Sequence, residues 1–348
     1  NNYTAAINIT FQFNRFGPLR SGAPGVNLKD RSAGLVVRYN WIEGGNRNID
    51  MVEGEDTAVI RNDPAYRKTF VYGNVLIKQD GGNNQVVHYG GDNGNTATYR
   101  KGKLYFYNNT IYSLRAGTTV LMRLSTNDET ADARNNIIFN TAAGTSMAML
   151  AEAGQLTLAN NWVKTGWRNS HEGGGFTGSV SGGPTMITGT QPGFADAAAQ
   201  NFSLSAGSAA IDSGTSLHPD TLPDNALLSQ YVRHRSIIPR PSAGPMDLGA
   251  FEYSAFAPVQ IITADLADPH FLRFYNGQLL AAGGSGSFSW SVTEGSLPPG
   301  VRLDPATGIL FGRPRRTGTF DFTITVSDLS QSGATASREF EVLVRRHP

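Results

Sequence analysis

A short apolar run broken by asparagine recurs through the first half of the chain, and its spacing limits the fold more than any other feature. It reads Phe-Gln-Phe-Asn at Phe11 to Asn14 and returns as Val-Arg-Tyr-Asn-Trp-Ile from Val37 and Val-Tyr-Gly-Asn-Val-Leu from Val71. Three more copies follow: Phe-Tyr-Asn-Asn-Thr-Ile from Phe106, Ala-Arg-Asn-Asn-Ile-Ile from Ala133 and Leu-Ala-Asn-Asn-Trp-Val from Leu158. With Asn14, Asn40, Asn74, Asn109, Asn136 and Asn161 taken as equivalent, the gaps are 26, 34, 35, 27 and 25 residues. Repeats of that length, made of short alternating strands with no amphipathic helix between them, fit a parallel β-solenoid with one coil per repeat. Each coil lies about 4.8 Å from the last, so equivalent side chains form columns. Asn suits the bend because it tolerates the left-handed backbone region and its amide can bond the next Asn of the column. Residues in excess of the shortest coil are expected in loops outside the solenoid.

Composition agrees with an all-β, exported protein. The chain has 348 residues, with 40 Gly, 18 Phe and 12 Tyr but only 16% charged residues. Its 29 basic and 28 acidic side chains leave a formal charge of +1, which gives no reason to expect nucleic acid or a membrane surface as partner. Cysteine is absent, which excludes disulfides and thiolate metal sites. No run of about 18 apolar residues suggests a membrane span. The chain opens on Asn-Asn-Tyr and alternates by Ile7 to Phe13, so no leader is expected. No cap is visible in the first ten residues either, and a bare solenoid end is a point of self-association unless further sequence covers it.

Coils are expected to about residue 170, with a glycine-rich connection over 171–200. Then come Asn-Phe-Ser-Leu-Ser-Ala-Gly-Ser-Ala-Ala-Ile-Asp-Ser-Gly (Asn201 to Gly214) and Asp-Leu-Gly-Ala-Phe-Glu-Tyr (Asp247 to Tyr253). This pair resembles the closing segment of secreted bacterial right-handed parallel β-helix proteins, and the resemblance implies that Asp212 and Asp247 tie down the last coil. Residues 215–246 are expected to form an irregular wrap. From Pro258 the text alternates with period two and turns about every ten residues, as in a sandwich. Its Ser-Leu-Pro-Pro-Gly (Ser296 to Gly300) and Gly-Ile-Leu-Phe-Gly-Arg-Pro (Gly308 to Pro314) resemble bacterial immunoglobulin-like modules related to cadherin repeats. The expected organisation is a right-handed parallel β-helix over 1–256 and an immunoglobulin-like β-sandwich over 257–348, the latter a spacer or an adhesive tile. Both resemblances imply a bacterial secreted or cell-surface protein.

Alternation in the coils suggests where chemistry lies. With Val26 and Leu28 inward, Asn27 faces out and Lys29 ends the strand; with Ile49 and Met51 inward, Asp50 faces out. The same rule turns out His88 beside Val87 and Arg123 between Met122 and Leu124. Asn27 or Lys29, together with Asp50, His88 and Arg123, is therefore expected on one outer face, and a one-residue slip in any strand would invert that strand's contribution. Arg31, Arg38, Arg47, Tyr89 and Arg100 belong to the same coils and, with Asp50, are candidate substrate contacts. Cations and rings together suit an anionic polysaccharide, because Arg and Lys neutralise uronate or sulfate groups.

The stretch Asn27-Leu-Lys-Asp-Arg-Ser32 followed by Arg38-Tyr-Asn40 resembles the Asn-x-Lys-Ser and Arg-Tyr-Asn segments of β-helical polysaccharide lyases of the chondroitinase B and alginate lyase type. Here Asp30 and Arg31 intervene before Ser32. The resemblance implies β-elimination, with Lys29 abstracting the proton and an arginine such as Arg123 or Arg47 assisting; His88 completes the candidate catalytic set. Three alternatives stand beside it. Asp50 with Glu53 or Asp56 is a candidate acid pair for glycoside hydrolysis. Asp128, Glu129 and Asp132 are candidate calcium ligands that lack a recognised spacing, so calcium is a candidate cofactor and no metal site is assigned. A non-catalytic structural or adhesive role, with assembly through the first coil or the sandwich edges, is the reading from another class.

Overall fold

The asparagine column is built as a hydrogen-bonded ladder. In the computed structural model, which describes residues 2–20, 25–55, 57–241, 244–255, 257–284, 287–329 and 334–346, Asn14 Nδ2 donates to Asn40 Oδ1 at 3.0 Å. Asn40 repeats this to Asn74 at 3.0 Å, Asn74 to Asn109 at 3.0 Å, Asn109 to Asn136 at 3.1 Å and Asn136 to Asn161 at 2.8 Å. Each amide also donates sideways to a backbone carbonyl, as Asn109 does to Val71 O at 2.9 Å, so a buried side chain is satisfied on both hands. One expectation is corrected here. The left-handed residue of each bend is the one before the ladder asparagine: Phe13, Tyr39, Gly73, Asn108, Asn135 and Asn160 all have φ between 47° and 63°. The ladder residue itself is free of that strain because its work is done by the side chain.

Around this ladder, three parallel sheets of seven strands each form a β-helix. The first sheet contains Leu28–Asp30, Ile49–Met51, Gln85–Tyr89 and Thr119–Leu124; the second contains Val36–Arg38, Lys68–Tyr72, Lys103–Tyr107 and Thr130–Arg134; the third contains Trp41–Glu43, Val75–Lys78, Thr110–Ser113 and Ile137–Asn140. Inward columns such as Val37, Val71, Phe106, Ala133 and Leu158 fill the lumen and pack as one core. The coils run further than the expected residue 170. Arg168–Ser170, Ser179–Ser181 and Ile187–Gly189 each add a strand to one of the three sheets, in a stretch whose glycines masked its strand pattern. The extra residues of the longer coils lie where surplus was expected, outside the sheets: 52–67, with the short helix Ala58–Asn62, and 90–102 both leave the first sheet and return to the second.

The outer faces of the second and third sheets are covered. Tyr39, Phe70, Tyr72, Tyr105 and Tyr107 stack along the second and meet Leu217, Leu227 and Ile237, whereas Trp41, Val75 and Ile77 on the third meet Phe202, Tyr231 and Ala250. The closing segment is fastened at the buried Asp247, whose carboxylate accepts the amides of Asp212, at 2.6 Å, and Tyr253. Asn108 Nδ2 donates to Asp247 O at 3.0 Å, which ties this knot to the coils.

Two compact units divide the chain, one comprising the chain to Arg240 with Gly244–Tyr253, the other built from Ser254 onward. The second unit consists of short antiparallel sheets, the largest pairing Phe288–Gly295, Gly318–Asp328 and Thr335–Val344, around Trp290, Phe322, Ile324, Val326, Phe340 and Val342. The alternation led to the expectation of a sandwich and the motif resemblance to an immunoglobulin-like one, and the antiparallel sheets agree with both. Among the described residues no helix is long and apolar enough to cross a membrane.

Candidate functional site

Register in the first sheet sets Lys29 beside Asp50, Asp50 beside His88, and His88 beside Arg123. Tyr3 pairs with Lys29 at the head of the row. The column arises because Leu28, Ile49, Val87 and Met122 are drawn into the lumen together, and the period of two then turns their successors outward together. The closing segment's ring contacts fall on the other two sheets, so this face is bordered instead by the two loops, 52–67 and 90–102.

Opposite charges alternate along the row. Lys29 Nζ lies 2.7 Å from Asp92 Oδ2 and 3.7 Å from Asp50 Oδ2, and Arg47 Nη1 lies 3.4 Å from Asp50 Oδ1. His88 Nδ1 is 2.6 Å from the same Asp50 oxygen, and His88 Nε2 is 2.8 Å from Ser125 Oγ. Burial alone would raise the Asp50 carboxyl, but the His88 hydrogen bond and the charges of His88, Arg47 and Lys29 outweigh it and hold the group below the usual carboxylate range. His88 is fully buried, and that burial, aided by Arg47 and Arg123, lowers its pKa despite Asp50. Arg123 is half-buried and, among the described residues, has no carboxylate within ion-pair distance.

Loop 90–102 is pinned from below. Glu53, fully buried, accepts the amides of Asp92 and Asn93, each at 3.0 Å, and lies 3.4 Å from Arg31 Nη1. Arg100 donates to Val52 O and Ser32 O, each at 2.8 Å, and its guanidinium sits 5.1 Å from the Tyr66 ring centroid. Ser125 Oγ exchanges hydrogen bonds of 2.9 Å with both the N–H and the C=O of Gly91. A Cβ on Gly91 would lie 2.1 Å from the Tyr99 ring, so glycine is what lets the loop approach this closely.

Several candidate residues take other duties. Tyr89, expected at the surface, is fully buried in the lumen, as the alternation after outward-facing His88 requires. Arg100 is buried and spent on backbone carbonyls, a loop anchor with no access to substrate. Arg38 belongs to the second sheet, where it binds Gln12 and Tyr72. Arg31 borders the site but is held by Glu53, Glu55 and the Tyr3 hydroxyl. Asn27 is buried and caps the carbonyls of Glu43 and Gly44, so of the Asn27 and Lys29 alternatives Lys29 occupies the column. Lys29 itself stands between two carboxylates, Asp50 and Asp92.

The alternative centres fare similarly. Glu53 clamps a loop, and Asp56 lies outside the described residues. Among the described residues no three acids or histidines converge as a metal would need. Asp128 pairs with Lys101, Glu129 holds Thr126 and Asp132 pairs with Arg134, so calcium has no prepared seat there and no step is routed through it. Sequence reasoning missed Asp92 and Ser125. Ser125 was within reach of the same rule, being the next outward position after Arg123; Asp92 was not, since only the folded loop brings it to Lys29.

Comparisons with known proteins cover only part of the chain. Residues 273–345 match the family described as "Putative Ig domain", in keeping with the sandwich. A solved structure titled a putative alpha-galactosidase/melibiase from Bacteroides fragilis NCTC 9343 is 18% identical, with a TM-score of 0.23, over 25% of this chain and 18% of that one. A second, titled a putative alpha-galactosidase from the same organism, is 17% identical with the same TM-score and coverage. The chain thus spans under a fifth of the length of either structure. A comparison with curated proteins gave no match.

Proposed function

We propose that this chain is an exported protein that binds acidic polysaccharide along the outer face of the first sheet and cuts it by β-elimination. A parallel β-helix fits a polysaccharide-acting protein or a structural one, and fold alone does not choose between them. The observation that carries the reading is the row Tyr3, Lys29, Asp50, His88 and Arg123, one residue per coil on a face bordered by loops. Arg123, with no ion pair among the described residues, is the first contact for a sugar carboxylate and acidifies the adjacent C–H by neutralising it. Lys29 is the second cation and, by the lyase resemblance, the base. Its pairing with Asp92 sets a condition: a sugar carboxylate has to displace Asp92 before Lys29 can contact the ligand or reach the proton to be abstracted.

The test is incubation with alginate, pectate and glycosaminoglycans, following affinity by calorimetry and cleavage by the ultraviolet absorbance of the unsaturated product. Salt-sensitive binding with rising absorbance is expected, and Lys29→Ala should abolish the rise. Binding without cleavage would remove the elimination step, and no binding to any of them at low ionic strength would remove the whole reading. The immunoglobulin-like unit favours a second, structural reading, but its long edge strand Thr335–Val344 exposes Arg338, Glu339 and Glu341, charges that discourage edge-to-edge pairing. Light scattering separates the two, since assembly predicts concentration-dependent oligomers.

A further inference from the structure

Beside the cations lies a group whose geometry polysaccharide binding does not explain. Asp50 and His88 are register neighbours in the first sheet, and Ser125 directly follows the strand Thr119–Leu124 of the next coil. The carboxylate meets Nδ1 of the imidazole at 2.6 Å, and the opposite nitrogen, Nε2, meets the hydroxyl at 2.8 Å. A hydroxyl in reach of a base, with the base oriented from behind by a buried carboxylate, is the arrangement that activates an oxygen nucleophile. The buried Asp50 is also held by Arg47 at 3.4 Å, so it is fixed as an anion that can orient the ring. Ser125 is half-buried, whereas Asp50 and His88 are buried.

We propose that Asp50, His88 and Ser125 form a nucleophilic centre that hydrolyses small ester-linked acyl groups, O-acetyl above all, on sugars bound at this face. Ser125 Oγ attacks the acyl carbon as its proton passes to His88 Nε2, and the carbonyl electron pair moves onto oxygen. Collapse expels the sugar oxygen, which takes the proton back from Nε2 and leaves an acyl-serine. Water repeats the sequence through His88, releasing the carboxylic acid and restoring the hydroxyl. The sum is ester plus water to alcohol plus acid, with no other reactant. The Gly91 N–H, 2.9 Å from Ser125 Oγ, and Arg123, two residues earlier in the chain and beside His88 in register, are the donors this centre offers to the developing negative charge. The Gly91 carbonyl, also 2.9 Å away, competes for the hydroxyl proton, and rotation about the Cβ–Oγ bond, which leaves the oxygen in place, directs that proton to Nε2. With the loop this near the oxygen, the approach suits an acetyl group better than a long acyl chain.

The centre rests on the polysaccharide reading only for the sugar that carries the ester, so the experiment treats the two separately. The folded full-length chain is exposed to a fluorophosphonate probe and mapped by peptide mass spectrometry, and its hydrolysis of p-nitrophenyl acetate and acetate release from O-acetylated polyuronate are followed. An adduct on Ser125 is expected, absent in Ser125→Ala and slowed about a hundredfold or more in His88→Gln, the usual scale for losing a general base. The labelling rate should fall with acid along a limb below the ordinary histidine range, which a merely structural serine would not show. Ser125→Cys, probed with iodoacetamide, serves if Ser125→Ala fails to fold. No adduct on Ser125, an adduct at another residue alone, or equal ester hydrolysis by wild type and Ser125→Ala would overturn the centre. An adduct on Ser125 in a protein that binds no polyanion would uphold the centre and overturn the polysaccharide reading.

Discussion

The outer faces of this β-helix are built alike and used differently. On the second sheet Tyr72 stacks on Tyr107 at 4.7 Å and Phe70 on Tyr105 at 5.0 Å, ring upon ring at the coil spacing, and the closing segment lies over them. On the first sheet the equivalent column reads Lys29, Asp50, His88, Arg123, with no residue repeated. Like residues can stack when they are rings or amides, because each offers its neighbour a favourable face; like charges cannot, so a charged column has to alternate or bring in counter-ions from elsewhere. A solenoid thus supplies columns, and the side chains in them decide whether a column becomes a second core or a wet, reactive wall.

That contrast can be broken most forcefully on the covered side. Phe202 is buried against Trp41 at a centroid distance of 5.6 Å and against Tyr112 at 5.0 Å. Truncating it in Phe202→Ala should cost about 4 kcal/mol, read as a lower denaturant midpoint for the β-helix unit. A loss near that of an exposed residue would mean the closing segment is a loose cover and the third sheet no core at all. Next in size is the ladder itself. Asn109→Ala removes the bonds to Val71 O and Asn136 Oδ1 and takes away the acceptor used by both the Asn74 amide nitrogens, backbone and side chain. With partners left buried and unpaired, about 3 kcal/mol is expected, measured in the same way. A loss below about 1 kcal/mol would show the ladder to be decoration on strands that pair regardless.

The same contrast explains what the sequence could tell. The coil lengths between ladder asparagines and the outward turn of Lys29, Asp50, His88 and Arg123 follow from period and alternation, rules that read along the chain. Tyr89 followed from that rule too: its place after His88 sends it inward, although its aromatic character suggested the surface. What a strand pattern cannot give is the path of an insertion. Arg100 was indistinguishable from a surface arginine until the loop folded back, 70 residues from its partner Asp30, and Asp92 became a neighbour of Lys29 by the same fold. Glycines misled in the last coil, where Ser179–Ser181 pairs with Gln155–Thr157 despite a sequence that reads as linker.

On the exposed side the effects are smaller and concern ligand, not stability. Arg123→Ala should leave the melting temperature unchanged, because no carboxylate pairs with it among the described residues, and should weaken polyuronate binding about tenfold, the worth of one desolvated guanidinium–carboxylate contact. A destabilised protein with unchanged affinity would make Arg123 a structural residue and return this wall to the covered kind.

Asp92→Asn should have the smallest effect, and of opposite sign. The Asp92 carboxylate lies 2.7 Å from Lys29 Nζ and 4.0 Å from Arg31 Nη2, so it occupies the position a sugar carboxylate would take between those cations. An incoming anion has to displace it. The displaced group does not carry the loop with it, since Glu53 holds the backbone N–H groups of Asp92 and Asn93, which asparagine at position 92 retains. A partly exposed ion pair is worth roughly 0.2 to 1 kcal/mol, so the variant should bind polyuronate about two- to fivefold more tightly, with the gain largest at low ionic strength and shrinking as salt screens the competition. Calorimetry at two salt concentrations measures both. Weaker binding by Asp92→Asn would mean that the carboxylate orients Lys29 for the ligand and does not stand in for it. The alternating charges would then be the binding apparatus in its finished form, with no carboxylate to be displaced first.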